Sequence, residues 1–318
     1  MIDFLNQVCI EIIYKIHTSS SSFLSTMVTV PKRISIDLIE PNLYLGNRSA
    51  AKDLQTIEKY NITHILSIDQ TPLPHEIVKN ENLTTKFICL RDQPEDDLLY
   101  HLDDTYAFIS KGLSKGCVLV HCFYGVCRSA STIIAFIMRK HHVLYKEAFE
   151  RVQEQRNKVC LNTGFIAQLK LYQEMGYKVD SSYTNYRIYR LQKVANQVRE
   201  MQLVPEECKD VIQKDPGLGP GAPEANVYCC KECSRVLADE SQLIPHKTHQ
   251  GEVCNMAYFV FPIDWMDCCK VLQRALWCPQ CNINVGSFNW NIGVRCPECH
   301  NAQIPAFCLT PARVEFVK

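Results

Sequence analysis

The distribution of cysteine constrains this chain more than any other feature of its sequence. Of 18 cysteines in 318 residues, eleven lie in the last 91 residues and seven in the first 227. A disulfide-rich protein needs an oxidising compartment, but the start of the chain lacks the basic region of a signal peptide, and Asp3, Glu11 and Lys15 interrupt its apolar stretch. We therefore expect thiols and metal ligands rather than disulfides, with a different cysteine chemistry in each part.

Composition and charge exclude several other classes of protein. The chain is 47% hydrophobic and 21% charged, which is typical of a globular protein. Its 34 basic and 34 acidic side chains cancel, so the whole chain has no electrostatic attraction for nucleic acid or an anionic membrane. No apolar run approaches the roughly 20 residues of a membrane span. We expect no membrane partner and no direct sequence-specific DNA binding.

The hydrophobic pattern predicts four segments. Residues 1–33 are an N-terminal extension. Over residues 34–178, short apolar strands alternate with helices, which predicts an α/β domain with a central, mainly parallel sheet flanked by helices. Residues 179–226 are predicted to be a connecting helix and a Pro/Gly-rich linker. Residues 227–318 carry most of the cysteines and are predicted to form a small β-rich domain that binds metal.

The segment VLVHCFYGVCRSASTIIAF, residues 118–136, predicts a strand, a loop and a helix around Cys122. Loop amides and the positive end of the helix dipole would converge at the loop and form an anion site. The same field favours the thiolate form of Cys122, the nucleophilic form. Gly125 permits the positive φ that turns successive amides inward, and Arg128 offers a planar fork for two phosphate oxygens.

These residue types together predict covalent catalysis through a phosphocysteine. Cys122 would attack the phosphorus, Arg128 would hold the phosphoryl oxygens, and Ser129 would hydrogen-bond the sulfur and help it to leave. His121 would orient the loop from behind rather than act as a base. The predicted phosphate-binding residues are Phe123, Tyr124, Gly125, Val126, Cys127 and Arg128.

A thiolate nucleophile needs an acid that protonates the leaving oxygen. Asp92 follows the predicted strand TTKFICL and is the preferred candidate. It begins an acidic loop, so Glu95, Asp96 and Asp97 are the alternatives.

Residues 34–178 resemble the cysteine-based dual-specificity phosphatases. The resemblance rests on IEPNLYLGN, the Asp92 loop, HCFYGVCRS and NTGFIAQL. It implies hydrolysis of phosphoserine, phosphothreonine and phosphotyrosine in a shallow pocket. Two residues depart from the usual pattern: Tyr124 replaces a small residue, and Cys127 replaces Ser or Thr. We expect Tyr124 to narrow or reshape the pocket. Cys127 offers a second thiol near Cys122, with Cys89 and Cys117 as alternative neighbours, so a protective disulfide under oxidation is a further hypothesis.

The tail contains Cys-x-x-Cys turns, each of which aims two thiolates at one point. We expect the two Cys-Pro-x-Cys turns to close one zinc site, and the remaining ligands to form another. The first predicted set is Cys278, Cys281, Cys296 and Cys299; the second is Cys230, Cys233, His246 and Cys254. Cys229 competes with Cys230, and His249 with His246. Four protein ligands leave no open position, so both zinc ions are predicted to be structural.

The two halves together resemble the dual specificity protein phosphatase 12 family and its yeast relatives. WCPQC, VGSFNW, CPEC and IPAF carry the resemblance in the tail. It implies two zinc ions, localisation in cytoplasm and nucleus, and a role in maturation of the large ribosomal subunit that depends on the zinc domain. Residues 227–318 contain eight basic and eight acidic side chains, and this zero net charge argues against non-specific binding of nucleic acid.

Two functions from different classes therefore remain open. One is a protein phosphatase that acts on phosphoprotein substrates. The other is a zinc-dependent binding factor that docks on a pre-ribosomal particle and whose phosphatase activity is dispensable. A phosphoinositide or RNA 5′-phosphate substrate is disfavoured, because FYGVC places no basic residue within the loop.

Overall fold

The structure is a computed structural model that describes residues 33–218, 226–248, 250–252, 254–300, 302–303 and 305–318. All but the last residue of the predicted extension 1–33 lies outside this part of the chain. The chain divides into two compact units, one ending at Val179 and the other running from Asp180 to Lys318.

The first unit is built on a five-stranded sheet with strand order β1-β2-β5-β3-β4. The strands are β1 Ile36–Glu40, β2 Leu43–Asn47, β3 Ile62–Asp69, β4 Thr84–Cys89 and β5 Cys117–Cys122. Only the β1–β2 pair is antiparallel, and the other three pairs are parallel. The predicted mainly parallel sheet is confirmed.

Helices flank this sheet. They are α1 Arg48–Lys52, α2 Leu54–Lys59, α3 His75–Val78, α4 Leu102–Leu113, α5 Arg128–His141, α6 Tyr145–Gln155 and α7 Thr163–Glu174, with a 3₁₀ turn at Leu99–His101. Side chains cap several of them: Asp53 accepts from the amide of Thr56 at the start of α2, and Asn162 accepts from the amide of Phe165 at the start of α7.

The central strand β5 and the helix α5 form the buried centre of the first unit. Residues 118–122 of β5 are all buried, as expected for a parallel strand covered on both faces. In α5 every residue from Arg128 to Met138 is buried. The loop between these two elements is therefore fixed at both ends by apolar packing, and this loop carries the predicted phosphate-binding residues.

The second unit contains one long helix and nine short strands among its described residues. The helix is α8 Thr184–Met201, and 3₁₀ turns lie at Glu206–Val211, Pro216–Leu218, Glu240–Gln242 and Asp264–Met266. The strands are β6 Val227–Cys230, β7 Val236–Asp239, β8 Tyr258–Phe259, β9 Gln273–Trp277, β10 Asn284–Asn289, β11 Val294–Arg295, β12 Ala302–Gln303, β13 Ala306–Leu309 and β14 Val314–Val317. They pair as β14-β6-β7, β8-β13-β10-β9 and β11-β12, which confirms a β-rich tail.

Helix α8 belongs to the core of the second unit rather than standing apart as a connector. Its buried residues Leu191, Val194, Ala195 and Val198 share one hydrophobic cluster with Phe259 and other buried residues of the tail. Their spacing is the apolar stripe of a helix that packs on one face. The second unit therefore begins at Asp180, well before the predicted boundary at residue 227.

Among the helices that the structure describes, none has the length and apolar character needed to cross a membrane.

Candidate active site and candidate metal centres

Cys122 lies at the end of β5, where the chain leaves the sheet and enters the loop before α5. Cys122 is 1% exposed. The sulfur accepts hydrogen bonds from the backbone amide of Gly125 at 3.2 Å and from the hydroxyl of Ser129 at 3.2 Å. Two donors directed at one sulfur stabilise its anionic form, so the surroundings of Cys122 suit a nucleophilic thiolate.

The carbonyl groups of the loop are all bonded to groups outside it. Phe123 O accepts from the amide of Arg48 at 3.3 Å, Tyr124 O and Gly125 O accept from the side chain of Arg156 at 3.3 and 2.7 Å, and Val126 O accepts from the amide of Cys160 at 3.1 Å. With its carbonyls held in this way, the loop directs amides to its concave side, and Gly125 shows this by donating to Cys122. Such a nest of amides binds anions.

Gly125 cannot be replaced without disturbing the loop. Its φ is +69°, and an added Cβ would lie 2.4 Å from the carbonyl oxygen of Gly46. On the same side, Arg156 is fully buried and forms an ion pair with Asp37 in addition to its two bonds to the loop. Strand β2 and Arg156 thus support the loop from outside.

Arg128, the first residue of α5, is held along one edge of its guanidinium group. Nη1 donates to Asp69 Oδ1 and to the carbonyl of Leu90, each at 3.1 Å. Nε is buried, has no hydrogen-bond partner and lies 3.6 Å from Asp92 Oδ2. A buried unpaired donor is costly, and a phosphoryl oxygen would satisfy it.

Asp92 contacts Arg128 and the start of α7, whereas the side chains of Asp96 and Asp97 make hydrogen bonds elsewhere. The side chain of Asp92 is 36% exposed, and its Oδ1 accepts from Asn162 Nδ2 at 3.1 Å. Asp96 is instead bonded to the backbone and side chain of Arg91, and Asp97 caps the 3₁₀ turn by accepting from the amide of Tyr100.

His121 contacts the strand end before the loop and the neighbouring strand β3. Its Nε2 is 2.7 Å from Ser67 Oγ and its Nδ1 is 3.3 Å from the carbonyl oxygen of Cys122. The ring is completely buried, and this burial lowers the pKa of His121 to about 4. The ring is therefore neutral at pH 7 and links strands β3 and β5.

The two residues that depart from the usual pattern have different surroundings. Tyr124 is 52% exposed, and its ring packs edge-on against that of Phe123 with 4.7 Å between centroids. Cys127 is buried, and its sulfur accepts from the amide of Asn162 at 3.3 Å. Burial, reinforced by the charge of Asp92, raises the pKa of Cys127 well above its ordinary value, so Cys127 is a neutral thiol.

The eight predicted metal ligands come together in two groups of four. One group is Cys230, Cys233, Cys278 and Cys281, and the other is His246, Cys254, Cys296 and Cys299. The predicted ligands are therefore the ones that cluster, but the predicted pairing was wrong, because each Cys-Pro-x-Cys turn joins a ligand pair from earlier in the chain. Cys229 belongs to neither group, and His249 lies outside the described residues.

The strands explain why neighbouring turns do not pair. The Cys278 turn joins β9 to β10, whereas the Cys296 turn joins β11 to β12 in another sheet. The six-residue strand β10 lies between the two turns along the chain, and a strand of that length spans about 20 Å. The two turns are therefore separated, and each lies beside a different pair of earlier ligands.

Each Cys-x-x-Cys turn has the same backbone form. The residue after the second cysteine has a positive φ and donates its amide to the carbonyl of the first cysteine. These residues are Ser234, Asn282 and His300, with φ of 58°, 56° and 54° and hydrogen bonds of 2.8, 2.9 and 3.1 Å. The repeated turn directs both sulfurs of each pair towards one point.

The atoms of both groups fit a tetrahedral metal ion. Ligand atoms within each group lie no more than 4.8 Å apart, and the closest sulfur pairs are separated by 3.6, 3.6 and 3.5 Å. Zinc with four sulfur ligands places them about 3.8 Å apart. His246 Nε2 is buried without a hydrogen-bond partner, and a metal ion would satisfy it.

Comparison with known proteins gives the family. The family described as dual specificity phosphatase, catalytic domain, matches residues 43–175. Dual specificity protein phosphatase MPK-4 of Drosophila melanogaster is 34% identical over 90% of this chain and 88% of its own length. Dual specificity protein phosphatase 12 of Rattus norvegicus is 35% identical over 88% of each chain. The chain belongs to the dual specificity protein phosphatase 12 family.

As a member of the dual specificity protein phosphatase 12 family, the chain is a dual-specificity protein phosphatase. The solved phosphatase domain of Yvh1 from Chaetomium thermophilum is 30% identical over 46% of this chain and 99% of its own, with a TM-score of 0.43. The matches to MPK-4 and to the rat protein extend through both units, because each covers far more of the chain than the catalytic domain alone.

Three residues that contact the loop or Arg128 were missed by the sequence reasoning. Asp69, Arg48 and Arg156 lie 59, 80 and 28 positions from Arg128 along the chain, and no motif links them to it. Only the sheet brings Asp69 near, since β3 pairs directly with β5. The role of Arg156 is recognised because its whole side chain is buried, and this burial is visible only in the fold.

Proposed function

We propose that this chain hydrolyses phosphotyrosine and phosphoserine or phosphothreonine in protein substrates through a phosphocysteine on Cys122. One observation carries the proposal. The buried sulfur of Cys122 accepts two hydrogen bonds at the start of α5, the helix that begins with Arg128, whose buried Nε makes no hydrogen bond. This is an anion site with a nucleophile at its base.

In the first step the thiolate of Cys122 attacks phosphorus, so that an S–P bond forms while the P–O bond to the substrate breaks. Asp92 gives its proton to the leaving oxygen. Arg128 and the loop amides, Phe123 to Arg128, bind the phosphoryl oxygens. Charge develops on these oxygens in the transition state, where fixed donors are most effective.

In the second step water attacks phosphorus and the S–P bond breaks, which releases inorganic phosphate. Asp92, now a carboxylate, accepts the proton of the water. The hydroxyl of Ser129 donates to the sulfur and stabilises it as it leaves as a thiolate. His121 keeps the loop in place from behind and transfers no proton.

The second unit would hold two structural zinc ions through the two groups of four ligands. We propose that it docks a partner, and by resemblance that this partner is a pre-ribosomal particle during maturation of the large subunit. The resemblance also leads us to propose localisation in cytoplasm and nucleus. Exposed apolar side chains at Met256, Trp277 and Ile292 support a protein-binding surface in this unit.

The catalytic proposal is tested by turnover of matched phosphotyrosine and phosphothreonine peptides, with zinc quantified in each sample. We expect Cys122→Ser to lower turnover by roughly 10⁴-fold or more. The exposed Cys89 provides the matched control, since Cys89→Ser should retain turnover. Absence of turnover by zinc-loaded wild type, or retention by Cys122→Ser, would overturn the proposal.

The Cys122→Ser variant also separates catalysis from docking. If it lacks turnover and still restores growth to a strain without the gene, docking carries the biological role and phosphatase activity is dispensable. If it does not restore growth, phosphatase activity is required.

A further inference from the structure

A buried carboxylate joins two arginines beside the active-site loop. Asp69, the last residue of β3, is 3% exposed. Its Oδ1 accepts from Arg128 Nη1 at 3.1 Å, and its Oδ2 accepts from Arg48 Nη1 at 3.0 Å. Asp69 thus lies between one arginine that faces the substrate and one that does not.

The bond to Asp69 determines which donors Arg128 can offer to a substrate. Nη1 is already used by Asp69 and by the carbonyl of Leu90, whereas Nε is buried, makes no hydrogen bond and lies 3.6 Å from Asp92 Oδ2. A guanidinium group is planar and its donors form a rigid fork. Fixing one edge therefore fixes the direction of the other edge.

Arg48 is itself firmly anchored. Beyond Asp69, its side chain donates to the carbonyls of Thr71 at 2.9 Å and Pro72 at 2.7 Å. Its backbone amide donates to Phe123 O in the loop. Arg48 therefore links the end of β3 to the active-site loop and holds the carboxylate of Asp69 in one orientation.

The balance of charge gives this arrangement a second consequence. With Asp92 protonated, as the proposed first step requires, Arg48 and Arg128 carry two positive charges against one negative charge on Asp69, so the cluster retains one positive charge for a phosphate dianion. Without Arg48, the charge of Asp69 would repel that dianion. Without Asp69, the guanidinium groups of Arg48 and Arg128 would repel each other.

We propose that Asp69 is a positioning residue that sets the orientation of Arg128 for phosphate, and that Arg48 neutralises Asp69 so that the site remains cationic. The proposal rests on the proposed function, in which Arg128 binds the phosphoryl group. It adds a requirement for two residues outside the loop and its helix.

The first test compares two alkylating reagents of Cys122, the anion iodoacetate and the neutral iodoacetamide. In wild type, iodoacetate should react faster, because its carboxylate binds Arg128 and the loop amides. In Asp69→Asn we expect the iodoacetate rate to fall about tenfold, the loss of one charge-assisted contact. The iodoacetamide rate should change by less than about twofold, because that reagent carries no charge for Arg128 to bind.

The matched control is Asp104→Asn, which removes a carboxylate that pairs with Lys86 at the exposed surface. It should leave both alkylation rates unchanged. If wild type itself shows no preference for iodoacetate, the proposed anion site fails. If wild type shows the preference and Asp69→Asn retains it, the positioning role fails while the proposed function stands.

The second test uses Arg48→Met and the double variant with Asp69→Asn, with inorganic phosphate as competitive inhibitor of aryl phosphate hydrolysis. Arg48→Met should raise the Ki of phosphate about tenfold, since Asp69 then lacks its partner. The double variant restores one net positive charge, so its Ki should lie below that of Arg48→Met. A Ki of the double variant equal to or above that of Arg48→Met would overturn the charge-balance argument, and this comparison needs no measurement on Asp69→Asn alone.

Discussion

Cysteine sulfur has two different roles in the two units, and the local structure decides which. In the first unit Cys122 lies at a strand end, where a loop amide and a hydroxyl donate to its sulfur. In the second unit seven thiols and one imidazole gather in two groups. An isolated sulfur among donors favours nucleophilic chemistry, whereas four converging ligands favour a closed metal site.

The two units also differ in what holds them together. Strand β5 and helix α5 bury long apolar runs, so the active-site loop rests on a conventional hydrophobic core. Apart from helix α8, the described part of the second unit is built on strands of two to six residues, and ligand residues such as Cys254 and Cys296 belong to its buried core. Short sheets of this kind need additional stabilisation, and bound metal can supply it.

Removal of the metal ions should unfold the second unit and leave the first unit folded, and this is the largest of the expected effects. Structural zinc contributes roughly 10 kcal/mol to folding, so a strong chelator should unfold the second unit. All three tryptophans, Trp265, Trp277 and Trp290, lie in that unit, and their fluorescence reports its unfolding. Turnover of a small aryl phosphate should persist, and its loss in parallel with the fluorescence change would contradict the division of roles.

A single ligand substitution should reveal the pairing of the metal sites. Cys281→Ser should lose one zinc ion and expose Cys230, Cys233 and Cys278 to alkylation. Cys296 and Cys299 should remain protected, because they belong to the other group. Protection mapped by mass spectrometry checks this. The exposed Cys269, substituted in the same way, is the control that should lose no zinc.

Removal of the general acid should affect only the first unit. Asp92→Asn is expected to lower kcat for alkyl phosphates such as phosphothreonine peptides by about 10²- to 10⁴-fold. The loss should be smaller for aryl phosphates, because a phenolate leaves more readily without a proton. The matched control is Asp97→Asn, because Asp97 accepts from the amide of Tyr100 in a 3₁₀ turn and is not the proposed acid. Equal losses in the two aspartate variants would show that Asp92 is not the acid.

The buried histidine predicts a smaller effect that is confined to low pH. The pKa of His121 is about 4 in the folded protein, against about 6.5 for a free side chain. Between these values the unfolded chain binds the proton and the folded chain does not, so stability falls as pH falls from 6.5 to 4. The loss attributable to His121 is at most about 3 kcal/mol and is complete below pH 4.

This effect can be measured by hydrogen exchange of the β5 amides in wild type and in His121→Gln. The variant should lose the part of the pH dependence that arises between pH 6.5 and 4. Identical pH dependence in both proteins would contradict the buried, neutral state of the ring.

How much of the site could be predicted from the sequence depends on how far apart its residues lie along the chain. The site from His121 to Ser129 is contiguous, so its residue types and spacing were sufficient to predict a strand, a loop and a helix around a nucleophile. Arg156 and Asp69 reach the loop only because the sheet and a later helix end bring them there. The ligands of the second unit were predicted individually, but their pairing depends on strand order, which spacing does not encode.

The same reasoning applies to helix α8. Its sequence predicted a connecting helix, and the structure shows that Leu191, Val194 and Val198 form its buried face. The surface against which that stripe packs is a cluster assembled from residues throughout the tail. The position of the domain boundary therefore became clear only from the packing.

The most direct test of the account is to trap the covalent intermediate. Asp92→Asn should slow hydrolysis of the phosphoenzyme, because no carboxylate activates the water. After rapid quenching during turnover of an aryl phosphate, mass spectrometry should find phosphate on the peptide that carries Cys122. Phosphate attached to another residue, or continued turnover by Cys122→Ser, would contradict the account.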